Sequence, residues 1–159
     1  MARLVRRPLM QRLMQWAIRL VVPRHRIGVA VVALDADDRV LMLRHVFHPQ
    51  APWGLPGGWL GRHEAPAEGA LRELVEETGL TAALGPPVYV VGEAHPHHAG
   101  IAYVAEVIAG ELRLSPEILE AAWFPVDQLP RPLLKSVREA ILAGAAYRRL
   151  TRQFEQGPA

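Results

Sequence analysis

Three glutamates, Glu73, Glu76 and Glu77, lie three and four residues apart in the stretch LRELVEETGL that runs from Leu71 to Leu80. On a helix this spacing makes their carboxylates neighbours, and like charges so placed repel by roughly a few tenths of a kcal/mol per pair. Such a cluster suits a hard divalent cation like Mg2+, which takes oxygen ligands and commonly sits beside a phosphate. A solvated face is the commoner meaning of a glutamate-rich helix, and Glu68 with Arg72 and Arg72 with Glu76 form ordinary i, i+4 pairs. Taken by itself, the helix leaves both readings open.

The elements around the cluster predict how it is held. Pro66 suits a first helical turn, where its missing N–H costs nothing. Gly79 suits the left-handed position just past a helix end. Between them, at 100° per residue, Ala67, Leu71, Leu74, Val75 and Thr78 share a side expected to face a core, with the three glutamates opposite. A tight loop, Trp53-Gly54-Leu55-Pro56-Gly57-Gly58, leads the chain toward this helix.

Taken whole, Gly58, five residues, Glu64, seven residues and then Arg72-Glu73-Leu74-x-Glu76-Glu77-x-Gly79-Leu80 resembles the signature of the Nudix (MutT-like) hydrolases, with every defining position filled. The resemblance covers 23 residues directly, and the strand pattern agrees with the family over roughly residues 27–148. It implies an α/β fold, an α/β/α sandwich around a mixed β-sheet. It also implies hydrolysis of a pyrophosphate bond in a nucleoside diphosphate linked to another moiety, with Mg2+ as cofactor and Mn2+ as a substitute. Glu73, Glu76 and Glu77 match the family's metal-ligand positions, and the carbonyl of Gly58 is a further expected ligand. Glu64 is given a supporting place, orienting the loop or holding a water on the metal. Arg72 is expected to pair with the glutamates and fix their rotamers.

Family members draw the general base from different places. Glu76 is the choice within the helix; Glu117 and Glu120, just before Ala121-Ala122-Trp123-Phe124, are the choices from a loop near the last strand, and each reads equally well as a surface carboxylate. Arg44 stands where the family often binds phosphate, a task that suits a guanidinium fork, although a surface arginine beside a strand is as common. Trp53 and Trp59 bracket the glycine loop and could stack a base, while packing within the loop is the usual role of such aromatics. His95, His97 and His98 invite a zinc reading, but no second cluster of suitable spacing supports it, and a hairpin tip near the substrate is the simpler account.

The chain has 159 residues, enough for one domain with a proper core. It has no cysteine, which excludes disulfides, thiolate metal sites and cysteine nucleophiles and fits a cytoplasmic location. Residues 1–26 hold seven arginines and no acid, so the other 133 residues carry a formal charge of −5. The acidic body argues against a broad nucleic-acid surface.

Residues 1–25 read as a basic arm. From Pro8 it is amphipathic, with Leu9, Met10, Leu13, Trp16, Ala17, Leu20 and Val21 on one face. Residues 8–22 could lie on an anionic membrane. Packing on this domain or on a second subunit, as in a homodimer, is preferred.

Residues 26–150 read as the hydrolase domain. Strands are expected at Arg26–Leu34, Arg39–His45, Val88–Val91, Ile101–Ala109 and Ala121–Val126, with the first two forming a hairpin. A turn is expected at 94–100 and a second helix near Pro132–Leu150. Residues 151–159 read as a polar tail expected to fray.

The substrate is the least determined part. Pro96 lies sixteen residues after Leu80, a loose mark of ADP-ribose pyrophosphatases in this family, and motifs associated with NADH and coenzyme A members are not found. Nucleoside triphosphates, ADP-ribose and other sugar nucleotides all remain open, as does pyrophosphate at RNA 5′ ends, against which the acidic body counts mildly. A function of another class is a non-catalytic nucleotide sensor signalling through the arm, for which loss of motif glutamates would be expected; all three are present.

Overall fold

The computed structural model describes residues 10–12, 14, 16–17, 25–47, 49–94 and 97–155. Its elements are β1 (Arg26–Leu34), β2 (Arg39–His45), β3 (Trp53–Gly54), β4 (Gly57–Trp59), α1 (Pro66–Thr78), β5 (Leu80–Ala94), β6 (His97–Gly110), β7 (Ile118–Pro125) and α2 (Lys135–Glu155). The strands form one mixed sheet in the order β3-β2-β1-β6-β5, with β4 also pairing β1 and β7 also pairing β2. β1 and β6 run parallel over nine residue pairs, from Arg26 with His98 to Leu34 with Glu106.

Strand alternation divides the apolar residues between two layers. Val29, Val31 and Ala33 of β1 and Leu41 and Leu43 of β2 pack with Ala70 and Leu74 of α1. Val32, Leu34, Val40 and Met42, on the opposite face, pack with Ala140 and Ile141 of α2. Both sheet faces are thus covered, which is why β1 reads as a near-continuous apolar run. The result is an α/β/α sandwich around a mixed sheet.

The bounds of β1 and β2 agree with expectation, but their pairing is confined to Leu34 and Val40 beside the turn. β2 instead spends its length against β7. In the loop over residues 46–58 the chain forms the two short strands β3 and β4. β5 is far longer than the Val88–Val91 signal and crosses Gly85-Pro86-Pro87 by register shifts near Leu84, Pro87 and Tyr89. His97–Gly100, expected in a turn, already belongs to β6; His95 and Pro96 lie outside the described residues.

The buried side of α1 is rotated from the expected one. It comprises Gly69, Ala70, Leu74, Glu77 and Thr78, whereas Ala67 is exposed and Val75 keeps 45% of its surface. Small residues at 69 and 70 let the helix approach the sheet closely: a Cβ at Gly69 would meet Leu60 Cδ2 at 2.4 Å. α2 runs to Glu155, into the expected tail, where Arg152 donates to Asp38 at 2.8 Å. Of the arm, the described residues among 10–17 are helical, and Trp16 is 64% exposed. Leu9, Leu13, Leu20 and Val21 lie outside the described residues. No described helix is long and apolar enough to cross a membrane.

Candidate metal and diphosphate site

The glutamates reach their positions through the two ends of α1. At its start, Ala65 N–H donates to Glu68 at 3.4 Å and Pro66 opens the first turn. At its end, Gly79 adopts φ 71° and its N–H donates to the Val75 carbonyl at 2.8 Å. The segment after β6 then bonds two more of the helix-end carbonyls. Arg113 N–H donates to Thr78 O at 2.8 Å and Ser115 N–H to Glu77 O at 3.2 Å. These bonds satisfy the helix end and fix the approach of the chain to Glu117.

Arg72 lies between the acids. It donates to both oxygens of Glu64, at 2.7 and 3.0 Å, to Glu73 at 2.9 Å, to Glu76 at 3.0 Å and to the Trp59 carbonyl at 3.3 Å. The bidentate grip on Glu64, reinforced by the Gly61 N–H, holds that carboxyl down at about 2. The same bonds raise the already high pKa of Arg72, led by the bond to Glu64.

Glu77 is held differently. Its carboxylate is buried and accepts from the Gly57 N–H at 2.8 Å. Burial pushes its pKa up to about 7; the Gly57 bond opposes this, and Glu73, Glu117 and Glu76 add to it. Gly58 permits a close approach of the loop to the helix, since a Cβ there would fall 2.4 Å from the Glu73 carboxyl carbon.

A cleft of about 870 Å³ opens over these groups. Glu73, Glu76, Glu77, Gly58 and Trp53 line it, together with Glu117 from the loop before β7. Trp53 also packs edge-on against Phe124, ring centres 5.1 Å apart. The expected Arg44 and Glu120 are not brought to the cleft: they are register partners on β2 and β7, paired at 3.4 Å, and both are half exposed. Alternation explains it, because His45, the next residue on β2, turns inward, lines the cleft and brings Nδ1 to 4.0 Å from Glu77. His98 lines the cleft as well and meets Trp59 edge-on at 5.1 Å. His45, Tyr89 and Glu93, all lining the cleft, were missed from sequence. Counting alternate residues along β2 from Leu43, which faces the core, would have found His45.

The donor set is entirely carboxylate and carbonyl oxygen, which suits Mg2+ or Mn2+ rather than a softer metal. A carboxylate whose pKa is pushed up by burial, and further by its acidic neighbours, is also one that a cation would relieve. Among the described residues no three acidic or histidine side chains converge as a ready-made cation cage; Arg72 draws Glu73 and Glu76 toward itself.

Comparison with known proteins gives the chain its relatives. An ADP-ribose pyrophosphatase of Methanocaldococcus jannaschii is 31% identical over 105 residues, covering 62% of this chain and 61% of the relative. An NAD-capped RNA hydrolase of Salmonella heidelberg is 31% identical over 103 residues, covering 63% of this chain and 39% of that protein. The chain thus spans less than two thirds of the length of either relative. The crystal structure of an ADP-ribose pyrophosphatase from Streptococcus suis superposes with a TM-score of 0.68 at 20% identity, over 79% of this chain and 93% of the other, a likeness of fold. The family model described as NUDIX domain matches residues 24–144, about three quarters of the sequence. With the glutamate helix, glycine loop and mixed-sheet sandwich in place, the chain belongs to the Nudix family.

Proposed function

We propose that this protein hydrolyses the pyrophosphate bond of a nucleoside diphosphate linked to a second moiety, of the ADP-ribose type, with Mg2+ as its working cation. The observation that carries the reading is the buried Glu77 carboxylate, gathered with Glu73, Glu76 and Glu117 on one cleft. Similarity to pyrophosphatases and capped-RNA hydrolases supports a diphosphate substrate bearing adenosine.

Glu73, Glu76, Glu77 and the carbonyl of Gly58 are the groups that would hold the cation, which when bound neutralises diphosphate charge and favours attack by water. The chain's own residues do the rest. Arg72, locked by Glu64, fixes the rotamers of Glu73 and Glu76. Gly57 N–H orients Glu77. Glu117 takes the proton of the attacking water; it stands in the cleft, whereas Glu120 is paired with Arg44 outside it.

The test is hydrolysis of a nucleotide panel containing ADP-ribose, with Mg2+ and with Mn2+, for the wild type and Glu77→Gln, Glu117→Gln and Glu120→Gln. The reading expects cation-dependent turnover that collapses in the first two variants and persists in the third. Nucleotide binding without turnover on any substrate would instead favour a sensor.

A further inference from the structure

The cleft is much larger than a diphosphate requires, and its floor beyond the glutamates is lined by small residues, one of which, Gly28, the packing around it does not demand. Trp59 of β4 pairs with Gly28 of β1, Gly28 with Gly100 of β6, and Gly100 with Val91 of β5. In the adjacent row Ala30 pairs with Ala102, and Ala102 with Tyr89. These residues lie on the sheet face that α2 covers farther along, and Val137 and Ala140 of α2 line the same cleft.

A glycine inside a strand weakens it and often marks a place where a ligand comes close. Gly28 is such a case. Its φ is outside the left-handed region, and a Cβ there would meet His98, Trp59 and the Gly58 carbonyl at ordinary distances of 3.5, 3.6 and 3.8 Å. None of the described residues around Gly28 requires glycine at this position, yet a side chain there would stand in the cleft.

The walls of this floor are selective. Trp59, 45% exposed, offers an indole. Glu93 brings a carboxylate to the cleft from β5, opposite His98 in the register, and a carboxylate only accepts hydrogen bonds. Neighbouring strands are about 5 Å apart, so β6 and β5 lie on the order of 10 and 15 Å from the Gly58 strand. That distance is the reach of one nucleoside from a diphosphate held at the glutamates.

Resting on the hydrolase reading, we propose that Gly28 and Gly100 determine specificity by opening a flat seat for the nucleobase, beside Trp59, with Glu93 accepting from an exocyclic amine or a ribose hydroxyl.

Calorimetric titration of the full chain with ADP and with inorganic pyrophosphate, in Mg2+ buffer, tests this. Wild type should bind ADP at least about 10-fold more tightly than pyrophosphate, and Gly28→Val should abolish most of that difference. Gly28→Ala, whose methyl the fold accommodates, serves if the valine variant does not fold, and should narrow the difference. Gly92→Ala, on the opposite face of β5 with nothing within 4 Å of its Cβ, should leave it unchanged. Equal affinity of the wild type for the two probes, or an undiminished ADP preference in a folded Gly28 variant, would overturn the proposal. Because binding is read apart from turnover, failure of the hydrolase reading would show separately, as ADP preference without hydrolysis.

Discussion

At the residue scale the decisive group is Glu77, whose pKa is raised from about 4.5 to about 7 in the fold. A carboxyl whose folded pKa is raised holds its proton in the native state after the unfolded chain has released it, so native stability falls as pH climbs from about 4.5 to about 7 and is level above. The cation-free protein should therefore lose melting temperature across that window, by the equivalent of roughly 2–3 kcal/mol, and Glu77→Gln should flatten the slope. A melting profile equally steep in the variant would assign the effect elsewhere. Glu64 acts in the opposite sense at lower pH. Its contribution is complete above about 4.5 and fades as pH falls toward about 2. Arg72→Ala should cut turnover about 10–100-fold, as loss of an orienting partner does, and Arg72→Lys should recover little because one ammonium cannot replace a fork bonded to Glu64, Glu73 and Glu76. Glu77's burial does not show in the helical spacing, whereas the inward turn of His45 follows from alternation along β2 once Leu43 is known to face the core. The spacing of the three glutamates did show, because helical geometry converts it directly into proximity.

At the element scale, regular patterns were legible and interruptions were not. The apolar runs of β1 and β2 and the Asp35–Asp38 turn reported their own ends correctly. β3 and β4 are two and three residues long, in a glycine- and proline-rich loop with no period to read. β5 is broken in pattern by Gly85-Pro86-Pro87, yet it continues through register shifts that only its β6 partner reveals. For α1 the apolar residues pointed to Val75, but closeness of packing favoured the small side chains of Gly69 and Ala70. Its C-terminal glycine, read correctly, is required twice over: φ is 71°, and a Cβ would come 2.8 Å from the Glu111 carbonyl. Gly79→Ala should accordingly destabilise by about 1 kcal/mol or more, measured by denaturant unfolding, and a neutral result would mean the helix end yields freely.

At the scale of the whole molecule, the cleft draws its walls from both layers, the carboxylates from α1 and its far wall from the first turns of α2. Ile141 is fully buried between α2 and the sheet, so Ile141→Ala should cost about 2–5 kcal/mol and raise KM more than it lowers kcat, since Val137 and Ala140 sit on the same helix. An unchanged KM in the folded variant would separate α2 from substrate binding. The backbone bonds from Arg113 and Ser115 to the end of α1 have a consequence for how such a protein can diversify. They anchor the loop at one end to α1, and β7 anchors the other, which leaves Glu117 on a short bridge between two fixed supports. Residues added to or removed from that bridge would move Glu117, the proposed proton acceptor, across the cleft without disturbing the glutamates of α1. A lineage built on this frame can explore new leaving groups by changing loop length alone, keeping the costly part of its chemistry intact.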